Sequence, residues 1–265
     1  MWKENKEGAL LVVSFGTSYS ETREKTIGAI EHRLEEAYPQ YELRRAFTSR
    51  MILKVLRERD HIFIDDVKSA LQRLIDEGCP NVVIQPTHMM NGEENDRMLA
   101  DIKKYADKFE SCRVGMPILN NIKDYCSLTK AVMSEIPEQH QEKTAVVLMG
   151  HGTDHHANSV YAALEYRMHD MGYTNVFVGT VEGYPDIEAV LRKIKAVDAS
   201  IERIVLYPLM IVAGDHANND MAGDSEDSWK SQFEKAGYQT ECKIKGLGEY
   251  KGVQELFVNH LSEIL

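Results

Sequence analysis

Short apolar runs alternate with helical periodicities along the whole chain, and this alternation limits the fold more than any other feature of the sequence. The runs are typical of buried strands, and the segments between them place apolar residues on one helical face. A strand–helix–strand order requires right-handed crossovers, so it predicts an α/β fold with mostly parallel sheets covered on both faces. The predicted strands are Ala9–Phe15, Leu43–Phe47, Val82–Gln85, Cys112–Met116, Ala145–Met149, Val176–Gly179, Ile204–Tyr207 and Glu241–Lys245. The amphipathic helical stripes run over 67–75, 98–109, 187–194 and 253–261.

The chain contains a weak internal repeat. The strand end Val12–Thr17 resembles Leu148–Thr153, and a second pair of segments aligns Pro86 with Pro208 and Gly92 with Gly214 at one offset. This pattern predicts two similar Rossmann-like halves, each a four-stranded parallel sheet flanked by helices, that face a central cleft. Coincidence among ordinary strand-end patterns is the alternative that the sequence leaves open.

The predicted boundary between the halves lies in a polar stretch. Ser134–Lys143 has the sequence SEIPEQHQEK, which is typical of a linker. We therefore predict an N-terminal α/β half at residues 1–138 and a C-terminal α/β half, carrying the metal ligands, at residues 139–265.

Histidine and glutamate side chains follow the strands of the second half. His151, Glu182 and His216 each stand at or near the carboxyl end of a predicted strand, where ligands of open α/β sheets bind. Two imidazoles and a carboxylate form a mixed set that suits Co, Ni, Fe or Zn. Each histidine taken alone more often caps a loop, whereas the two together favour a metal site. His155 and His156 stand at the start of the next helix, where capping is expected.

Composition excludes some functions and leaves one basic segment to explain. The chain has 42 Asp and Glu residues but only 31 Lys and Arg residues, and the resulting net charge of −11 argues against nucleic-acid binding. The segment Arg44–Asp60 is nevertheless basic. If Ser49 begins a helix, Arg50, Lys54 and Arg57 share one face. An anion site and a solvated basic face explain this segment equally well.

Several common features are missing from the sequence. The apolar run Ala9–Val13 is too short for a leader, and no 18 apolar residues are consecutive, so we predict a cytoplasmic protein without a membrane segment. The four cysteines form no CxxC pair. The phosphate-binding patterns GxGxxG and GxxxxGK[ST] are also absent, which argues against a nucleotide cofactor.

Taken together, six motifs resemble the anaerobic cobaltochelatases of the cobalamin pathway, which belong to the ferrochelatase-like class II chelatases. The resemblance extends almost from end to end and implies a fold of two α/β halves around a cleft. The motifs are LLVVSFGTS at 10–18, RAFTS at 45–49, HMMNGEE at 88–94, MGHGTDHH at 149–156, VEGYPD at 181–186 and PLMIVAGDHANND at 208–220.

The resemblance also implies roles for individual residues. His151 matches the family's catalytic, metal-binding histidine, and His216 its second metal-binding histidine. Glu182 matches a metal-binding glutamate, and Glu94 a carboxylate implicated in catalysis.

The resemblance implies a reaction as well: insertion of divalent cobalt into sirohydrochlorin or precorrin-2, without an organic cofactor. The peripheral carboxylates of such a ring are expected to bind basic residues, for which the candidates are Arg44, Arg45, Arg50 and Lys54. Insertion of iron or nickel is an alternative, and so is a carrier that binds tetrapyrrole or metal without catalysis. The sequence leaves the oligomeric state open, with a homo-oligomer as one alternative.

Overall fold

The computed structural model describes residues 2–265, which form two compact units. The first extends to Asn120 and includes Gln254–Leu265, and the second is Asn121–Val253. The helix Ile122–Met133 therefore packs with the second unit, and most of the C-terminal helix packs with the first. The division at residues 138 and 139 describes the two repeated halves rather than these packing units, and it stays a prediction.

The first unit contains a parallel sheet of five strands in the order β3-β2-β1-β4-β5. Four of these strands correspond to predicted apolar runs. The sheet also contains one strand that was not predicted, so the expected count of four was wrong. This extra strand, β3, pairs only with Ala46 and Phe47 and consists of two aspartates, so it carries no apolar signal. The strands are β1 (Gly8–Ser14), β2 (Tyr41–Phe47), β3 (Asp65–Asp66), β4 (Asn81–Pro86) and β5 (Ser111–Val114).

The second unit contains a parallel sheet of four strands in the order β7-β6-β8-β9. The strands are β6 (Thr144–Gly150), β7 (Val176–Thr180), β8 (Arg203–Pro208) and β9 (Gln239–Cys242). Each overlaps a predicted run, but β9 begins two residues before the predicted Glu241–Lys245 and ends three residues earlier than it.

The two sheets repeat one another in order and in register. Without β3, the first order β2-β1-β4-β5 corresponds strand by strand to β7-β6-β8-β9. Val13 pairs with Pro86 in the first sheet, and Met149 pairs with Pro208 in the second. These are the positions that the sequence repeat aligns, so the repeat is structural and not a coincidence of strand-end patterns.

Helices connect the strands in both units. In the first unit, one helical segment runs through Ser20–Arg23, a π-helical turn at Glu24–Gly28 and Ala29–Ala37. The remaining helices are Arg50–Arg59, Val67–Asp76, Glu93–Ile102, Ile122–Met133, Ser159–Asp170, Ile187–Val197, Trp229–Lys235 and Lys251–Ser262. The stripe predicted to extend to Phe109 ends as a helix at Ile102, and Phe109 packs on the core from beyond a short 3₁₀ turn at Ala106–Lys108.

Each unit has its own hydrophobic core against its sheet. All seven residues of β1 are buried, as are all seven of β6, because helices cover both faces. Fully burying one such leucine or valine contributes roughly 1.5–3 kcal/mol to the free energy of folding. These central strands therefore give the loops at their carboxyl ends a rigid base. Within residues 2–265, no helix is long and apolar enough to cross a membrane.

Candidate metal centre

Three predicted site residues come together at the carboxyl ends of three neighbouring strands. His151 follows β6 directly, Glu182 lies two residues beyond β7, and His216 lies in the loop after β8. One nitrogen of each histidine and one carboxylate oxygen of Glu182 all lie within 4.8 Å of one another. Among residues 2–265, these three residues form the one group of His, Cys, Asp or Glu side chains whose ligand atoms lie close enough together to hold a metal ion.

Glycines on both sides of His151 fix the path of its loop. A Cβ atom at Gly150 would lie 2.2 Å from the ring of Tyr161, which is fully buried beneath the loop. Gly152 has a φ of +85°, and a Cβ atom there would lie 2.6 Å from the nitrogen of Gly183. Burial raises the pKa of Tyr161 to about 12, so its hydroxyl stays neutral under the site.

Backbone hydrogen bonds join the loop of His151 to that of Glu182. The N–H of Glu182 donates to the carbonyl of His151 at 2.8 Å. The Asn158 side chain bridges the same two loops: its Oδ1 accepts from the Thr153 N–H at 3.0 Å, and its Nδ2 donates to the Tyr184 carbonyl at 2.6 Å. The backbone therefore sets the spacing of these two side chains.

His216 stands at the start of a π-helical turn, Ala217–Met221. Ala217 and Met221 are buried in the core of the second unit, which anchors the turn. The His216 ring meets the His151 ring edge-on, with centroids 4.5 Å apart and planes at 85°. The side chains of His151, Glu182 and His216 remain 42%, 58% and 31% exposed, so a ligand in solution can reach them.

Hydrogen-bond acceptors assign the protons of the two neutral rings. Nδ1 of His151 lies 2.8 Å from the carbonyl oxygen of Gly152, and Nδ1 of His216 lies 2.7 Å from a carboxylate oxygen of Asp220. Both acceptors require a proton on Nδ1 of the neutral ring, which leaves the lone pair of Nε2 available to bind a metal. The carboxylate of Glu182 lies 3.7 Å from Nδ1 of His151.

His155 and His156 have the positions expected of capping residues. His155 precedes the 3₁₀ turn His156–Asn158, and its Nδ1 accepts from the N–H of Ala157 at 3.2 Å. The two rings contact each other with centroids 4.0 Å apart. Neither residue belongs to the group of three possible ligands.

Glu94 lies in the first unit, whereas the three candidate ligands lie in the second. It occupies the first turn of the helix Glu93–Ile102, and its carboxylate pairs with Arg97 at 3.0 Å. This position also suits a negative charge near a helix N-terminus. In the structural repeat, Glu94 corresponds to His216.

The four predicted substrate-binding cations do not form one surface. Arg44 and Arg45 are consecutive on β2, so their side chains point to opposite faces of the sheet. Arg44 pairs with Glu42 at 2.6 Å and with Glu77 at 2.8 Å. Arg45 pairs with Glu31, whose pKa burial raises even though the guanidinium opposes that shift. Arg50 and Lys54 are exposed on the predicted helix, which Ser49 caps.

Three residues around the centre were not found from the sequence. Asp220 lies four residues after His216, and this helical spacing is a signal that could have found it. Tyr161 and Asn158 fill space and bridge loops, and only the folded backbone brings them to the site. No sequence pattern around Tyr161 or Asn158 indicates that these side chains support the loops of the site.

Comparison with known proteins gives a consistent result. A family model described as cobalt chelatase (CbiK) matches residues 8–265. A sirohydrochlorin cobaltochelatase of Salmonella typhimurium strain LT2 is 42% identical over 257 residues, which cover 97% of this chain and 96% of the relative. The sirohydrochlorin cobaltochelatase CbiKC of Nitratidesulfovibrio vulgaris strain Hildenborough is 32% identical over 262 residues, which cover 97% and 90%.

Solved structures show the same fold at lower sequence identity. SirB from Bacillus subtilis, solved with Fe³⁺, superposes with a TM-score of 0.68 at 16% identity and covers 96% of this chain and 94% of that chain. CbiX, described as the terminal enzyme of siroheme biosynthesis in denitrifying bacteria, gives a TM-score of 0.58 at 17% identity, with 97% and 99% covered. Both comparisons show the shared α/β fold.

Proposed function

The chain belongs to the cobalt chelatase (CbiK) family, and on that basis we propose that it inserts divalent cobalt into sirohydrochlorin. Cobalt replaces the two pyrrole N–H protons of the ring, so each turnover releases one metallated ring and two protons. The observation that carries the proposal is the meeting of two imidazoles and one carboxylate within 4.8 Å at three strand ends. The names of both relatives support the substrate pair.

His151, Glu182 and His216 are the proposed ligands of the incoming cobalt. Three protein ligands leave coordination positions open, which a metal needs if it is to pass to four ring nitrogens. The partial exposure of all three side chains supports a metal that enters from solvent and leaves again.

Two residues are proposed to move protons. His151 is the proposed base: its Nε2 lone pair, which becomes free when cobalt passes to the ring nitrogens, accepts a pyrrole proton. Glu94 is the proposed second acceptor or relay, and its pairing with the exposed Arg97 is weak enough to be exchanged.

The ring carboxylates are proposed to bind basic side chains of the first unit. Arg50 and Lys54 are the stronger candidates, since both are exposed on one helix face. Arg44 and Arg45 already pair with carboxylates, so binding a ring through them costs the loss of those pairs.

Other assignments remain alternatives or predictions. Precorrin-2 is the alternative ring, and iron or nickel the alternative metal, because affinity in an N/O site does not by itself select among them. A carrier without catalysis would use the same side chains. The cytoplasmic location and the oligomeric state stay predictions.

The test is the rate at which sirohydrochlorin is metallated with cobalt, iron and nickel, each corrected for the reaction without protein. We expect many turnovers per chain and the fastest rate with cobalt. At most one metallated ring per chain would identify a carrier instead. A faster rate with iron or nickel would replace the assigned metal.

A further inference from the structure

The contact between His216 and Asp220 is the shortest hydrogen bond made by the side chains of the three candidate ligands. A carboxylate oxygen of Asp220 lies 2.7 Å from Nδ1 of His216, within the range of a charge-assisted hydrogen bond. The corresponding nitrogen of His151 hydrogen-bonds to a neutral acceptor, the carbonyl of Gly152 at 2.8 Å, and the Glu182 carboxylate lies farther away, at 3.7 Å. The two histidines are therefore oriented by partners of different charge.

The local backbone explains why Asp220 and His216 meet. They are four residues apart on one turn, whose Ala217 and Met221 are buried in the core. The side-chain amides of the two asparagines between them bind other partners. Nδ2 of Asn218 donates to the Gly214 carbonyl at 2.7 Å, and Nδ2 of Asn219 donates to the Asp215 carboxylate at 2.9 Å. Packing from below thus directs the His216 and Asp220 side chains to the same side of the turn.

We propose that Asp220 is a positioning residue that holds the proton on Nδ1 of His216 and so presents Nε2 of that ring to the cobalt ion. The inference deepens the proposed function and rests on it. Nothing requires Asp220 to touch the metal or the tetrapyrrole. A carboxylate behind a ligating histidine fixes the ring's orientation and tautomer and makes the imidazole a stronger donor, and its loss typically weakens metal affinity about 10–100-fold.

A purely structural role for Asp220 is the competing explanation. The carboxylate would then serve only to hold the turn, and its removal would lower stability without a specific effect on the ring. The buried anchors Ala217 and Met221 argue against this, because they fix the turn without Asp220. The two explanations differ in the tautomer of His216, which stability does not report.

The first measurement reads that tautomer directly in metal-free protein. Long-range ¹H–¹⁵N NMR of the neutral ring, at a pH where the spectrum itself shows that the ring is neutral, distinguishes a proton on Nδ1 from one on Nε2. We expect His216 to carry its proton on Nδ1 in the native protein and to lose that preference in Asp220→Ala. The same tautomer in both proteins would overturn the inference, whatever the state of the metal site.

The second measurement is the cobalt affinity of the native protein and of its variants, determined by calorimetry. We expect Asp220→Ala to bind cobalt about 10–100-fold more weakly, and Asp220→Asn to retain part of the affinity because its amide oxygen still accepts from Nδ1–H. Asp224→Asn is the matched control, because that side chain lies on the same loop and is fully exposed. Among residues 2–265, its one ion pair is with Lys230, at 3.7 Å.

His216→Ala separates failure of this inference from failure of the proposed function. If His216→Ala binds cobalt as tightly as the native protein, the proposed metal site is wrong. If His216→Ala loses affinity while Asp220→Ala retains it, the site stands and the role of Asp220 is wrong.

Discussion

Gly150 and Gly152 decide where the His151 ring lies, because neither position has room for a side chain. The ring of Tyr161 fills the space next to Gly150, and the Gly183 backbone fills the space next to Gly152. At the scale of single residues, the lack of a Cβ atom at Gly150 and Gly152 is therefore as important to the site as the side chains of the candidate ligands.

Gly150→Ala should destabilise the fold because the new methyl group would lie 2.2 Å from the Tyr161 ring. Overpacking of this kind typically costs about 1–3 kcal/mol in the free energy of unfolding. Urea denaturation measures this cost. Gly92→Ala is the control, since its Cβ atom would meet only Met90 at an ordinary 3.4 Å. Equal stability of the two variants would contradict the packing argument.

His151→Ala should abolish cobalt insertion, whereas His155→Ala and His156→Ala should mostly retain it. His151 lies in the group of three possible ligands, while His155 caps a 3₁₀ turn. Loss of a general base alone typically lowers the rate about 10²–10⁴-fold. The measurement is sirohydrochlorin metallation, with circular dichroism to check folding. Equal loss of activity in all three folded variants would refute the assignment.

Glu94→Gln should lower turnover steeply while cobalt affinity and melting temperature hold. The substitution keeps the shape of the side chain and removes its charge, so a role in proton transfer, typically about 10²–10⁴-fold in rate, is lost. If Glu94 only stabilises its helix, the same variant should lose roughly 0.3–1 kcal/mol of stability and keep normal turnover. Turnover, calorimetry and thermal unfolding of the variant distinguish these results.

At the scale of elements, the centre is built by three strands in their order in the sheet. β6 lies between β7 and β8, so the residues that follow their carboxyl ends converge without any long excursion of the chain. Each strand contributes one candidate ligand through its own loop. Convergence of this kind predicts that the ligands act as one set.

The double variant Glu182→Ala, His216→Ala should bind cobalt far more weakly than the native protein, in the absence of tetrapyrrole. It removes two of three proposed ligands and leaves His151 alone, and one imidazole binds a divalent ion far more weakly than three converging ligands do. Calorimetry with cobalt measures the loss. Unchanged affinity in the folded double variant would show that the metal binds elsewhere.

Element patterns also explain how much could be predicted from the sequence. Apolar runs predicted the central strands well because parallel strands buried on both faces are apolar throughout, whereas the partly exposed strands β5 and β9 were predicted with shifted bounds. The positions of the strand ends predicted that His151, Glu182 and His216 would meet. The run of two aspartates in β3 carries no such signal, and the stripe to Phe109 continues past the helix because Phe109 reaches the same core from beyond a turn. The paired state of Arg44 and Arg45 depends on Glu77 and Glu31, which are distant in sequence, so only the fold reveals it.

At the scale of the whole molecule, stability should respond to pH through a histidine outside the site. Both ring nitrogens of His88 are buried and have no hydrogen-bond partner among residues 2–265. Desolvation of the ring lowers the pKa of His88 from 6.5 to about 4. The neutral ring is thus part of the folded state, and protonation favours unfolding.

Acidification should therefore remove the contribution of His88 to stability. That contribution is complete above pH 6.5 and is lost as the pH falls toward about 4, because the unfolded chain binds the proton first. The pKa difference corresponds to roughly 3 kcal/mol in the free energy of unfolding. Urea denaturation between these pH values measures the slope.

His88→Phe and His88→Gln are the comparison proteins for this slope, since neither side chain titrates. Each variant is compared with itself at the two pH values, so a packing cost of the substitution cancels. Both should lose less stability on acidification than the native protein. A slope equal to the native slope in both variants would show that His88 does not govern it.

The hydrogen bond between the Glu182 N–H and the His151 carbonyl bears on how long a metal ion stays bound. These two candidate ligand residues do not separate by loop opening unless this bond and the Asn158 bridge break together. Release of a metal from the proposed site would then proceed by rotation of the exposed side chains, which is a motion of picoseconds to nanoseconds. The proposed cobalt site therefore predicts a residence time set by ligand exchange at the ion rather than by opening of these two loops.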